Sequence, residues 1–282
     1  MPTETESKNL YRQDLPNGLS FDLIHVKGDS YLFGDFDHKI TFPDFCIGQF
    51  PVTQALWQAV MGDNPSHFKG KNRPVESISW YDAAAFCNAL NALTGYPQVY
   101  FRDEKFQEPM DYTMTRPLEY REDIDVFHNP QNPGYRLPSE TQWEFAARGG
   151  GNRSTYEYAG SDKLEEVGWY DDNSHGETKP VGLKAPNELN IYDLSGNVWE
   201  WCADQWLGDS ELKNIPKDGS AWVDHDKGAN RVFRGGSWIS DAQGCRATRR
   251  NTSSPSLRDY IIGFRVVLFP PPVSWSVHQQ NP

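Results

Sequence analysis

At 282 residues the chain can bury a sizeable core as one large domain or two modest ones. A net charge of −12 and a pI near 5.0 exclude the basic footprint of a nucleic-acid binder, and no stretch approaches the ~20 apolar residues of a membrane span. Aromatics at 13%, with 23 Gly and 20 Pro, exclude a helical bundle or a disordered chain and describe a loop-rich domain pinned by aromatic anchors.

Residues 1–18 are polar, lack an apolar signal core and read as a loose start, so the chain as encoded is expected in the cytoplasm unless a partner exports it. Strands are expected over 19–47, in the runs FDLIHV, YLFGDF and HKITFPDFCIG, with Gly28-Asp29 as a turn. A short helix follows over 53–61, with Thr53 as N-cap. Ser79-Trp80-Tyr81 leads into a second helix over 82–93. Its apolar residues Ala85, Phe86, Ala89, Leu90 and Leu93 keep helical spacing, and Gly95-Tyr96-Pro97 ends it.

Residues 98–133 read as an insertion that begins with a hairpin in VYFRDEKF and ends in the turn-rich NPQNPG. Ser139 and Gln142 then form a capping box for a third helix over 139–148. Beyond Gly149 only short strands and loops are expected, and 270–282 form an extended tail. No repeat or linker divides the chain, so 19–269 read as one α+β domain.

Cys46, Cys87, Cys202 and Cys245 lack the CxxC spacing of a zinc site and suit small buried hydrophobes. The segment 231–268 is unusual. Recurrent punctuation (Gly235-Gly236-Ser237-Trp238, Ala242, Cys245-Arg246-Ala247, Arg250, Pro255, Arg258, then IGFRVV) alternates with residues that share no chemical theme. A catalytic loop would concentrate acids, bases or thiols here. This pattern instead suits a scaffold displaying an interchangeable surface, variable over 238–261.

Five segments, PVTQALWQAVMGDNPSHFKG, RPVESISWYDAAAFCNALNALTG, GYRLPSETQWEFAARGG, NIYDLSGNVWEW and RGGSW…GFRVV, together resemble the formylglycine-generating enzyme (sulfatase-modifying factor) family. They run in family order across nearly the whole chain. The resemblance implies a variant of the C-type lectin-like fold, α+β with little regular secondary structure. Trp57, Trp80, Trp143, Trp199 and Trp201 would fill a core that lacks long helices and sheets.

Catalytic members of that family resemble copper enzymes with two thiols, five residues apart, after the GGS turn. Cu(I) favours soft thiolates, and this chain has Ser240 and Cys245 at those places. A hydroxyl is a hard, neutral ligand, so the two-thiolate site is absent and no catalytic residue is assigned. Iron-dependent relatives with a three-histidine site are also a poor match. The histidines here (His25, His38, His67, His128, His175, His225 and His278) show no paired spacing.

The module GGSW…A…CR…R…P…R…IGFRVV is similar to the variable region of diversity-generating retroelement proteins. The resemblance implies a non-enzymatic binding scaffold whose coding segment is rewritten at adenines, chiefly in Asn codons. Such rewriting cannot yield Lys, Glu, Gln, Met or Trp. None of these occurs at the thirteen candidate positions Ile239, Ser240, Asp241, Gly244, Arg249, Asn251, Thr252, Ser253, Ser254, Leu257, Asp259, Tyr260 and Ile261. Those five types form roughly a fifth of average sequence, so their chance absence is about one in twenty. With Trp238, the thirteen are the candidate ligand-binding face for a protein or surface ligand, with no cofactor required. The alternative is an oxidoreductase of the formylglycine-generating type, or an accessory protein.

Segment 190–201 is similar to a calcium site of the sulfatase-modifying factors. Carried over, Asp193 and Glu200 would supply carboxylates, and Gly196 and Val198 backbone carbonyls, to a structural calcium. Equally, the two acids could brace the turn through hydrogen bonds.

Overall fold

The computed structural model describes residues 9–33, 38–112, 124–152, 154–224 and 229–271. The chain starts with strands β1 (Leu10–Asp14), β2 (Ser20–Val26), β3 (Ser30–Phe33), β4 (His38–Thr41) and β5 (Phe45–Gly48). The reading of 1–18 as loose is corrected for its second half. Leu10–Asp14 pair antiparallel with β2 as an edge strand, fixed by the Arg12–Asp22 ion pair. Its polar composition concealed it, because an edge strand with one solvated face needs few apolar residues. Residues 1–8 lie outside the described residues, as do 34–37, which include the end of the expected YLFGDF strand.

Helix α1 (Gln54–Met61) is capped by Thr53, whose hydroxyl accepts from the Leu56 amide at 3.2 Å. Helix α2 (Trp80–Thr94) starts two residues earlier than its apolar spacing suggests, because Ser79 and Asp82 form a capping box. That box satisfies amide donors that would otherwise be orphaned at the helix start.

Strands β6 (Tyr100–Phe101) and β7 (Phe127–His128) pair across the expected insertion, which corrects the local hairpin. The root of the insertion is core: Val99, Tyr100 and Met110 are buried. Buried Asn88 holds it, accepting from the amides of Val99 and Tyr100 and donating to the carbonyls of Tyr100 and Met110. Residues 113–123 lie outside the described residues.

After β8 (Gly134–Arg136), helix α3 (Glu140–Ala147) carries the expected capping box of Ser139 and Gln142. The remaining elements are short: α4 (Leu164–Val167), β9 (Gly168–Trp169), α5 (Asp171–Ser174), β10 (Ser195–Gly196), β11 (Trp199–Gln205), β12 (Arg231–Arg234), β13 (Arg250–Ser253), β14 (Ile262–Gly263) and β15 (Val267–Phe269). Of the expected tail, 272–282 lie outside the described residues.

Two sheets organise the molecule. A five-stranded sheet in the order β1-β2-β5-β15-β8 joins the first strands to the last. A four-stranded sheet in the order β13-β12-β11-β14 carries the strands of the 231–263 stretch. Between them the aromatics form the core. Trp57 stacks on Phe86 at 5.4 Å and meets Phe264 edge-on at 6.1 Å, while Trp201 meets Phe233 edge-on at 5.3 Å. All five tryptophans named from sequence are buried.

Candidate binding face

The face begins where β12 ends. Gly235 and Gly236 have φ of 97° and 77°, and a Cβ on Gly236 would lie 2.6 Å from the Cys245 sulfur. Only glycine combines that backbone conformation with that approach. The chain then folds on itself. Ser240 Oγ accepts from the Ser237 amide at 3.0 Å, and the Ser240 carbonyl accepts from the Asp171 amide at 3.1 Å. The Asp241 carboxylate accepts from the Gly244 amide at 2.7 Å, shaping the turn into buried Cys245.

Arginines hold the rest of the segment to helix N-termini. Arg250 makes a two-pronged bond to Glu140 in the first turn of α3, at 2.7 and 2.9 Å. Arg258 does the same to Asp82 in the first turn of α2, at 2.8 and 3.1 Å. Two parallel N–H···O bonds fix orientation as well as distance. Buried Arg234 pairs with Glu140 and Glu144, and buried Arg265 with Glu200. The backbone adds a bond from the Trp80 amide to the Pro255 carbonyl and from the Trp199 amide to the Ile261 carbonyl.

None of the thirteen candidate positions is buried. Ile239, Asp241, Arg249 and Tyr260 are exposed. Ser240, Gly244, Asn251, Thr252, Ser253, Ser254, Leu257, Asp259 and Ile261 are partly exposed. Leu257 and Ile261 pack their inner sides on the core, so they present less apolar surface than Ile239 and Tyr260. Between these positions Cys245, Ala247 and Pro255 are buried, as are Phe264 and Arg265 just after them, whereas Arg246 is exposed and paired with Glu157.

Trp238 is corrected. At 7% exposure its ring lies beneath the face, stacked on Tyr260 at 5.8 Å, and supports the surface instead of tiling it.

Asp241, Gly244, Arg249, Asn251 and Thr252 line an open cleft of about 650 Å³, together with Phe33 of β3 and with Trp206 and Asp209 beyond β11. At the other end, Tyr260 meets His67 at 5.7 Å and Phe68 at 6.2 Å. Sequence reasoning missed these neighbours because they come from three parts of the chain that share no motif. The carboxylates that anchor Arg250 and Arg258 did carry a signal, as acids in the first turns of capped helices.

Among the described residues, thiols and imidazoles are not clustered at this face. Burial pushes the Cys245 thiol up to about 12, with Asp241 adding to the rise, so it stays protonated. Cys46, Cys87 and Cys202 are also buried, with thiols raised by burial. The described histidines with polar ring contacts are dispersed: His25 contacts Asp44, His38 the Ile215 carbonyl and His128 Arg136. His225 and His278 lie outside the described residues.

The calcium set does not fit. Glu200 is fully buried and its carboxylate accepts from Arg265 at 2.6 and 2.7 Å and from the Trp143 indole at 2.7 Å. Its charge is already neutralised by a cation, and three of its about four lone pairs are used. Asp193 accepts from the Gly182 amide and the Asn197 side chain. Asp193 braces the turn, whereas Glu200 neutralises Arg265.

The sulfatase-modifying factor enzyme 1-like domain matches residues 15–269. The chain belongs to the sulfatase-modifying factor family. Its fold is accordingly C-type lectin-like. Within this family it is 36% identical over 242 residues to "Chaperone protein LppX" of Paenibacillus barcinonensis, covering 79% of this chain and 80% of that protein. It is 26% identical over 237 residues to the formylglycine-generating enzyme of Thermomonospora curvata, covering 78% of this chain and 63% of that enzyme. Among solved structures, Treponema denticola variable protein 1 superposes with a TM-score of 0.77 at 31% identity, covering 93% of this chain and 99% of that one. This sulfatase-modifying-factor chain therefore resembles that variable protein over nearly its whole length. Among the described residues, no helix is long and apolar enough to cross a membrane.

Proposed function

We propose that the chain is a non-enzymatic binding scaffold, the variable protein of a diversity-generating retroelement, which presents the thirteen positions to a protein or surface ligand. One observation carries the reading. The positions with the restricted residue alphabet are all at least partly exposed, while most of the residues between them are buried or tied to carboxylates. A backbone fixed by such ties keeps the entropic cost of binding low while side chains change. The likeness to Treponema denticola variable protein 1 supports it, as does Ser240 where the copper enzymes have a thiol.

A second reading is favoured by the 36% identity to a protein named as a chaperone: an accessory protein that holds another polypeptide on the same face. The two diverge at the gene. Sequencing the locus is expected to find a reverse transcriptase and a near-copy of the last coding segment with Asn codons at the thirteen positions. A near-copy without adenines there, or no near-copy at all, overturns the variable-protein reading and leaves the accessory one.

A further inference from the structure

The outermost strand of the four-stranded sheet belongs to the display segment. β13 pairs with β12 on one side, and among the described residues no strand pairs with its other side. The Thr252 amide donates to the Asn251 side-chain oxygen at 2.8 Å instead of joining the ladder. Bonded and non-bonded residues alternate along an antiparallel pair. The N–H and C=O groups of Arg250 and Thr252 therefore face outward, while those of Asn251 and Ser253 meet Phe233 and Arg231. Open edges are usually blunted by Pro, Lys or a bulge, and β13 has none of these. Its one charge, Arg250, is turned onto Glu140 and the Trp206 ring. The cover on the Thr252 amide is the Asn251 side chain, itself a display position.

The cleft of about 650 Å³ runs beside this edge. Arg250, Asn251 and Thr252 line it in succession, although neighbouring side chains of a strand point to opposite faces. A space bordered by both sets lies alongside the strand, not over one face of the sheet. Arg249, at the start of the strand, is exposed and, unlike Arg246 and Arg250, is tied to no carboxylate among the described residues.

We infer that the outer edge of β13 is a strand-addition site, where an extended segment of a partner protein pairs with the backbone of Arg250 and Thr252 and lies in the cleft. A row of backbone donors and acceptors is matched best by a second extended backbone, and alternate side chains then supply selectivity. Such pairing survives every change of side chain at the display positions, because the edge itself is main chain. An acidic residue of the segment answers Arg249. The inference rests on the reading of this face as a binding surface and names what the face recognises first.

The test pans random linear peptides against the full chain and measures the selected peptides by titration. N-methylation at one set of alternate peptide residues should weaken binding at least about tenfold, and at the other set by less than about threefold. Thr252→Pro removes the outward amide at an edge position that tolerates proline and should also weaken binding at least about tenfold. Asn251→Ala removes the cover and should tighten binding about threefold to tenfold. Peptides that lose binding on Arg249→Ser but ignore Thr252→Pro and both methylation patterns overturn strand addition and leave the face as the binding surface. Peptides that ignore all of these changes overturn both. Failure to select any linear peptide overturns strand addition, as does a dimer of the full chain that Thr252→Pro dissolves, which would assign the edge to a second copy.

Discussion

Cys245 shows how one residue's surroundings decide its chemistry. It sits beside the Gly235-Gly236 turn, fully buried, with its thiol raised to about 12 by burial. The residue five positions before it is Ser240, whose hydroxyl is occupied in bracing the turn. A protonated, inaccessible thiol beside a serine is a packing residue. In native buffer, thiol reagents are therefore expected to leave all four cysteines unmodified and to label all four in denaturant. Under reducing conditions Cu(I) should not bind stoichiometrically. Uptake of one Cu(I), abolished by Cys245→Ser, would restore the oxidoreductase reading. The missing second thiol was legible in sequence, but the burial of the remaining one was not.

At the scale of elements, the face is a set of loops made rigid from outside. Arg250 and Arg258 each reach a carboxylate in the first turn of a helix, and the helices are themselves fixed by capping boxes. Removing either arginine leaves a buried acid short of charged hydrogen bonds, a loss of about 1.5–3 kcal/mol in urea unfolding for Arg250→Met or Arg258→Met. Ile239→Ser and Arg249→Ser alter exposed side chains and should stay within about 0.5 kcal/mol of the parent. A framework loss no larger than the display loss would dissolve the distinction between the two sets. The helices were legible, as were the Thr53 and Ser139 caps, because capping residues act within one turn; the Ser79–Asp82 box of α2 was not. The pairing of Tyr100–Phe101 with Phe127–His128 was not, because strand partners are chosen by contacts distant in sequence.

Across the whole molecule, buried acids shape the response to pH. Burial raises Asp193 to about 6, and burial together with Glu140 raises Asp204 to about 7. An unfolded Asp titrates near ~3.9. The folded state therefore holds these protons to higher pH than the unfolded chain does. The stability this contributes is complete below about pH 4 and is lost as pH rises through about 6 for Asp193 and about 7 for Asp204. Unfolding free energies measured across that window should fall less steeply in Asp204→Asn than in the parent. An unchanged slope would remove Asp204 from the account.

The sequence by itself determined what is local or chemical: three helices, two of them with their caps, the five motifs in order, the missing thiol and the alternation of punctuation with variety after Arg231. Each depends on residues close in the chain or on side-chain identity. Only the tertiary structure decided that Glu200 serves Arg265, that Trp238 lies under the face and that Leu10–Asp14 form an edge strand. It also decided that Phe33, Trp206 and His67 border the display positions. The physical reason is common to all of them. A buried charge, a stacked ring and a strand edge are satisfied by partners that only folding brings within reach, and nothing in the spacing of a sequence names those partners.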